Sequence, residues 1–263
     1  MTNSLDVEKL EQEVKSVYQT VAETPDEEFH FEMGRDLAER LGYASDDLDR
    51  IPQDAIESFA GVGYHFDLAD LDDGVAVLDL GSGTGTDAFI AALHVGETGS
   101  VTGVDMTETQ LERARQLRDG AGIDGVSFEH GHIEDLPFAD ETFDVVVSNG
   151  VINLSAEKDR VFEEAHRVLH PGGRLAISDI ISETEMPGSI KTDADLWAAC
   201  IGGAMQIDQY TALIDAAGFD VLEVRENGEY EFISDRAANA CQEYGVKSVS
   251  LAARKPERTS GPR

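Results

Sequence analysis

The sequence predicts an α/β protein with a doubly wound, mostly parallel sheet of seven strands, an antiparallel edge strand and a helical N-terminal cap. From residue 75 onward, short apolar runs alternate with helical stretches, which is typical of a parallel sheet with right-handed crossovers. Over residues 1–74, the spacing of apolar residues indicates mostly helices. Two late strands joined by a modest connection favour antiparallel pairing at the sheet edge.

Seven apolar runs are the predicted strands, and they divide the chain into regions. We expect a helical cap over residues 1–74, a ligand-binding domain over 75–255 and a flexible tail over 256–263. Residues 181–205 interrupt the alternation, so we expect an insertion that helps to wall a substrate pocket. The strands are predicted at 75–80, 101–104, 126–128, 143–148, 175–178, 221–224 and 246–251.

The composition is strongly acidic. The 263 residues include 20 Lys and Arg against 53 Asp and Glu, which gives a net charge of -33. Such a surface repels nucleic acid and anionic membranes, so we expect neither as a partner. This charge is typical of a chain adapted to concentrated salt, because at ~1 M salt the Debye length is only ~3 Å. An acidic mesophilic protein is the alternative.

The chain carries few signals for export, membranes or metals. The N-terminus lacks a basic, apolar leader, and no apolar run is long enough to span a bilayer, so we expect a cytoplasmic protein. The two cysteines, Cys200 and Cys241, are expected to be free thiols. No CxxC pair is present, and we expect no metal site.

A glycine-rich turn after the first predicted strand is the most informative segment. The run from Asp79 to Thr86 reads DLGSGTGT, a strand end followed by a turn and a helix start. In such sheets, ligands lie beyond the carboxyl ends of the strands, where helix amides are free. A dinucleotide fingerprint requires a third glycine where Thr86 stands, and a Walker loop requires a lysine that this turn lacks.

Two acidic residues narrow the choice of ligand. Asp79 precedes the turn, where a carboxylate repels a pyrophosphate but attracts an ammonium group. Asp105 ends the second predicted strand, where an acid accepts hydrogen bonds from a ribose diol. A ligand with an amino-acid end and a ribose end is S-adenosylmethionine, which is therefore the predicted cofactor.

Several motifs in order resemble those of class I S-adenosylmethionine-dependent methyltransferases, over about residues 75–255. The resemblance implies a Rossmann-like methyltransferase fold over the 75–255 domain, and transfer of a methyl group to an acceptor. The motifs are DLGSGTG at 79–85, GVDM at 103–106, IEDLPF at 133–138, FDVVVSN at 143–149 and VLHPGG at 168–173.

The resemblance also implies roles for individual residues. The glycine turn would line the methionyl end of the cofactor, with Asp79 near its ammonium group and Asn149 close to the transferred methyl. Asp105 would hold the ribose, and Met106 would lie against the adenine. The implied cofactor-binding residues are Asp79, Gly81, Ser82, Gly83, Thr84, Gly85, Asp105, Met106, Ile133, Glu134 and Asn149.

Within this class, three segments look like arsenite methyltransferases: 51–52, 148–155 and 200–204. Those enzymes bind As(III) through cysteine thiolates, and their pattern has cysteines where this chain has Gly150 and within the segment matched by 59–63. Since only Cys200 remains in register, we expect that arsenite is not the substrate. An arsenite methyltransferase with an incomplete thiol set is the alternative, as is a non-catalytic S-adenosylmethionine-binding protein.

The expected activity is methyl transfer to a small-molecule acceptor by direct displacement. Alignment and exclusion of water can supply most of the rate enhancement, and a base is needed only if the acceptor loses its proton early. Candidate catalytic residues are His65, Asn153 and Cys200. His65 is the preferred base or acceptor-orienting residue, and a core histidine without a catalytic role is an equally good interpretation.

Overall fold

A computed structural model describes residues 31–191, 197, 201–233 and 235–258, together with a few positions between 12 and 20. Between residue 31 and the first strand, short helices form the described part of the cap. Their apolar side chains, such as Leu37, Leu48 and Phe66, are buried against the body of the protein. These helices are α1 (Arg35–Leu41), α2 (Ser45–Leu48), α3 (Gln53–Glu57) and α4 (Phe66–Ala69).

Within the described residues, a single large sheet runs through the molecule. Its main path contains seven strands in the order β3-β2-β1-β4-β5-β8-β7, and the two-residue strand β6 pairs with β5. The predicted seven-stranded α/β fold is thus confirmed. The strands are β1 (Ala76–Leu80), β2 (Ser100–Asp105), β3 (Val126–His130), β4 (Phe143–Asn149), β5 (Leu169–Ser182), β6 (Met205–Gln206), β7 (Asp220–Glu226) and β8 (Lys247–Arg254).

The strand directions agree with the predicted mixture. Strands β1 to β5 pair with their neighbours in parallel, whereas β8 is antiparallel to both β5 and β7. Antiparallel pairing at the sheet edge is therefore confirmed, with β8 one strand in and β7 as the edge itself. The strand order reverses at β1, between β2 and β4, which is where ligands of such sheets bind.

Helices cover both faces of the sheet and bury two apolar cores. On one face, α5 and α6 pack with the cap helices through residues such as Phe89 and Leu111. On the other face, α7 and α9 pack through Phe162 and Tyr210. The helices after β1 are α5 (Thr86–Val95), α6 (Glu108–Ala121), α7 (Lys158–Val168), α8 (Gly188–Lys191), α9 (Ile207–Ala216) and α10 (Asp235–Tyr244).

The predicted insertion is described only in part. Strand β5 runs through Ser182, well beyond the predicted 175–178, and α8 follows it. Trp197 is buried, and β6 begins at Met205. In the described part of the chain, no helix is both long enough and apolar enough to cross a bilayer.

Candidate cofactor and active site

A cavity of about 370 Å³ opens beyond the carboxyl ends of β1, β2 and β4. Cap residues 58–61 form part of its wall, beside the glycine turn. Of the predicted cofactor residues, Gly85 lies outside the cavity, against the rings of Phe128 and Phe89. The others line the cavity: Asp79, Gly81, Ser82, Gly83, Thr84, Asp105, Met106, Ile133, Glu134 and Asn149.

The glycine turn has a shape that a larger residue would disturb. The amides of Gly81 and Ser82 donate to the Val104 carbonyl, at 2.8 and 3.0 Å, so the turn is anchored to β2. Gly81 has a φ of 70°, and a Cβ there would lie 2.5 Å from the methyl groups of Val151. The turn therefore requires glycine at this position, for its backbone conformation and for the space.

Asp79 is the most strongly perturbed carboxyl group of the cavity. It lies next to the end of β1 and is 2 % exposed. Its Oδ2 atom has no hydrogen-bond partner among the described residues. Burial, and then the nearby charges of Asp87 and Asp105, raise its pKa well above the ordinary range. A buried carboxyl group with one unpaired oxygen, beside two further acids, fits a cationic ligand group such as an ammonium.

Asp105 ends β2 on the same side of the cavity. Its Oδ2 accepts a hydrogen bond from the Gly83 amide at 3.0 Å, and its Oδ1 accepts one from the Thr107 amide at 2.8 Å. Burial raises its pKa, and these hydrogen bonds oppose the rise. The carboxylate is thus held in one orientation, and each oxygen has a further lone pair for a ribose hydroxyl.

Asn149 ends β4 and links the cavity wall to the cap. Its Oδ1 accepts from the Val62 amide at 2.8 Å, while its Nδ2 lies 3.0 Å from the Gly63 carbonyl, the Tyr43 hydroxyl and the Asp87 Oδ2. Sequence reasoning missed Tyr43 and Asp87. Asp87 could have been noticed as an acid in the first turn of α5, two residues past the glycine turn.

The expected adenine side of the cavity contains Met106, Ile133 and Glu134. The carboxylate of Glu134 accepts a hydrogen bond from the Ser155 hydroxyl, which joins this side to the loop before α7. His132 also lines the cavity. Among the described residues, no group of three or more His, Cys, Asp or Glu is arranged to hold a metal ion.

Two of the three predicted catalytic residues, His65 and Asn153, are not among the residues that line the cavity. His65 is 0 % exposed, its Nδ1 lies 3.4 Å from the Ser178 hydroxyl, and burial lowers its pKa. Asn153 is buried too, and its side chain donates to the Ile180 carbonyl. Neither side chain lines the cavity, so their catalytic roles stay predictions, and the burial of His65 fits the alternative of a core histidine. Cys200 lies outside the described residues.

A profile of the methyltransferase domain family matches residues 71–218. The chain belongs to this family. Its doubly wound fold, with an acidic cavity beside a glycine turn at the switch point, is that of a class I S-adenosylmethionine-dependent methyltransferase. The cofactor of this class is S-adenosylmethionine, and the residues present fit it, since Asp79 offers an unpaired carboxyl oxygen to an ammonium group.

The similar proteins include arsenite methyltransferases. That of Halobacterium salinarum is 42% identical over 222 residues, which are 84% of this chain and 56% of that protein. The human arsenite methyltransferase is 43% identical over 152 residues, 54% of this chain and 40% of that protein. The chain thus spans about half the length of the curated relatives it matches.

A solved structure shows the same resemblance. The crystal structure of CrArsM, an arsenic(III) S-adenosylmethionine methyltransferase from Chlamydomonas reinhardtii, superimposes with a TM-score of 0.65 at 33% sequence identity. The match covers 86% of this chain and 75% of that chain.

Proposed function

We propose that this chain transfers a methyl group from S-adenosylmethionine to a small-molecule acceptor by direct displacement. The observation that carries the proposal is the cavity where the unpaired Asp79 oxygen, the glycine turn and Asp105 come together. This arrangement complements a ligand that has an ammonium group at one end and a ribose at the other.

The proposed roles of the residues follow from their positions. Asp79 binds the ammonium group, the turn from Gly81 to Gly83 supports the methionyl chain, and Asp105 accepts from the ribose hydroxyls. When bound, the cofactor supplies a methyl group activated by a sulfonium. The cap residues 58–61 close one wall, so they exclude water and help to align the acceptor.

The acceptor we propose is not an arsenical held by three thiolates. Among the described residues that line the cavity, none is a cysteine. Cys241 lies on α10 and packs against a separate apolar cluster that contains Ile180 and Met186. Gly150 lines the cavity with a φ of 70°, a conformation that side chains rarely adopt. A three-sulfur cage therefore lacks ligands among the described residues of this wall.

Arsenite methylation with an incomplete thiol set is the second candidate. It is supported by the 42% identity to the arsenite methyltransferase of Halobacterium salinarum over 84% of this chain. It also requires Cys200 to act with thiols from solution, because one thiolate does not complete the coordination of As(III).

The experiment combines binding and turnover in molar KCl. Calorimetry measures the affinity for S-adenosylmethionine, and transfer of isotope-labelled methyl is followed with arsenite plus thiol and with a panel of small oxygen, nitrogen and sulfur nucleophiles. We expect cofactor binding and transfer to one class of the panel. Absence of binding would overturn the proposal, rapid arsenite turnover would establish the second candidate, and binding without transfer to any acceptor would point to a non-catalytic binding protein.

We further propose that the protein works in a salt-rich cytoplasm and binds neither nucleic acid nor membranes. The support is the net charge of -33, which opposes contact with polyanions, and the likeness to a protein of Halobacterium salinarum.

A further inference from the structure

Asp87 is a buried carboxylate of the cavity wall to which neither the motifs nor the proposed function assigns a role. It lies in the first turn of α5, lines the cavity and is 7 % exposed. The Tyr43 hydroxyl donates to its Oδ1 at 2.6 Å, and the Asn149 Nδ2 lies 3.0 Å from its Oδ2. Both carboxylate oxygens are therefore held in a defined direction.

The group that holds Asp87 belongs to the cap. Tyr43 follows α1 and is buried, with its ring edge-on to those of Phe59 and Tyr64 at 5.0 Å between centroids. Tyr43 is therefore a rigid contact from the cap to the first turn of α5.

Two more contacts connect the same parts of the chain. The Ser58 and Thr84 hydroxyls are 2.6 Å apart, and the Thr86 hydroxyl donates to the Ala55 carbonyl at 2.7 Å. The cap and the glycine turn thus meet around Asp87, and cap residues 58–61 line the cavity beside it.

Three acidic side chains lie close together in this wall of the cavity. Asp79, Asp87 and Asp105 line one cavity, and none of the three forms an ion pair with a lysine or arginine that the structure describes. The Asp79 Oδ2 atom is buried without a hydrogen-bond partner in the described part of the chain. Arg160 also lines the cavity, but it is exposed at the start of α7. Positive charge brought by a ligand is what this wall lacks.

We propose that Asp87 is a second anionic contact for the ammonium group of S-adenosylmethionine, beside Asp79, and that Tyr43 and Asn149 are positioning residues that direct its carboxylate. The inference rests on the proposed function and adds a binding residue and a link to the cap. Because Tyr43 belongs to the cap, the proposed contact connects the ammonium group to the packing of the cap on α5.

The test compares two buried tyrosine–aspartate pairs of one chain. Asp87→Asn and Tyr43→Phe alter the proposed contact, while Asp179→Asn and Tyr210→Phe alter a matched pair outside the cavity, in which the Tyr210 hydroxyl donates to Asp179 at 2.8 Å. Calorimetry in molar KCl measures the affinity of each variant for three ligands. S-adenosylmethionine and S-adenosylhomocysteine both carry the ammonium group, and 5′-methylthioadenosine lacks it.

We expect Asp87→Asn to lower the affinity for the two ammonium-bearing ligands about ten- to hundred-fold. The affinity for 5′-methylthioadenosine should stay within about two-fold of the wild-type value. Tyr43→Phe should lower the affinity for the same two ligands by a smaller factor. The matched variants should leave all three affinities unchanged. Unchanged affinities in a folded Asp87→Asn variant, or an equal loss for all three ligands, would overturn the proposal.

Two controls keep the outcome interpretable. If Asp87→Asn does not fold, Tyr43→Phe decides, since the phenyl ring keeps its aromatic packing and loses only the hydroxyl; unchanged affinities in that variant then overturn the proposal. If the wild-type chain does not bind S-adenosylmethionine, the proposed function itself fails, and this is a different result from equal binding by wild type and variant.

Discussion

Individual carboxyl groups determine the chemistry of this cavity through their burial and their partners. Asp79 has an unpaired oxygen, whereas both oxygens of Asp105 accept from backbone amides. The first is suited to an ammonium group and the second to a hydroxyl pair, so two residues of one type serve two ends of one ligand.

Replacement of Asp105 by alanine tests its contribution to binding. We expect Asp105→Ala to weaken S-adenosylmethionine binding by roughly 1–3 kcal/mol, because ribose hydroxyls and two backbone amides lose their acceptor. Calorimetry in molar KCl measures the change, with Asp119→Ala on the exposed side of α6 as control. An affinity equal to that of wild type would exclude the ribose role.

The raised pKa of the buried Asp179 predicts that the stability of the fold depends on pH. Burial raises its pKa from 3.8 to about 6, although the Tyr210 hydroxyl donates to it. Between these two values the folded protein holds a proton that the unfolded chain has released. The stabilisation is therefore present at low pH and is lost as the pH rises through about 6.

The comparison of wild type with Asp179→Asn separates this effect from the titration of the many other acidic residues. From about pH 4.5 to about pH 7, the unfolding free energy of the wild type should fall relative to the variant by about 2 kcal/mol. Denaturant unfolding in molar KCl measures both curves. Parallel curves would show that Asp179 ionises normally in the folded state.

At the level of elements, the glycine turn and the N-terminal cap position the residues of the site. The glycine turn is anchored to β2, and the segment around Ser58 closes over it. Thr107 and Gln110 form the sequence pattern of a capping box at the start of α6, but Thr107 makes no side-chain cap hydrogen bond. The Asp105 carboxylate instead accepts from the Thr107 amide, because the strand end reaches the same turn.

Two glycine-to-alanine variants test whether the glycine turn requires glycine, in contrast to a helix position that does not. At position 81 the added methyl lies 2.5 Å from Val151, so we expect Gly81→Ala to destabilise the fold by about 1–3 kcal/mol and to weaken cofactor binding. Gly120 lies within α6 with nothing within 4 Å of its Cβ position, and Gly120→Ala should stabilise by about 0.5–1 kcal/mol. Thermal unfolding and calorimetry test both, and equal melting temperatures for the two variants would refute this account of the turn.

For the whole molecule, the surface charge determines the conditions under which the fold is stable. The described ion pairs, such as Arg35 with Asp49 and Arg225 with Asp67, join partly exposed groups and neutralise few of the 53 acidic residues. Repulsion among the remainder acts over about 10 Å at 0.1 M salt and over ~3 Å at 1 M.

Dialysis into low salt is therefore expected to unfold the protein. The melting temperature should rise steeply with KCl, because screening reduces the self-repulsion of the folded chain. Sucrose is the control, since it stabilises compact states without screening charge. A melting temperature that is indifferent to KCl would remove the argument for adaptation to salt.

The sequence by itself determined the sheet, the cofactor class and most of the residues that line the cavity beside the glycine turn. These features follow from local rules: apolar runs form strands, the glycine spacing excludes a dinucleotide fingerprint, and acids at strand ends line the cavity. Strand bounds differ from the prediction mainly in β5, which continues to Ser182 because β8 pairs along its length.

Only the tertiary structure decided which polar side chains lie in the core and which come together beside the cavity. His65 lies in the core and Asn153 binds the Ile180 carbonyl, whereas Tyr43 and Asp87, 44 positions apart, share a hydrogen bond. Such contacts join segments that are distant along the chain, and their geometry depends on how the cap packs on the sheet. Local sequence patterns carry no information on that packing, so the hydrogen bond between Tyr43 and Asp87 could not be predicted from the sequence.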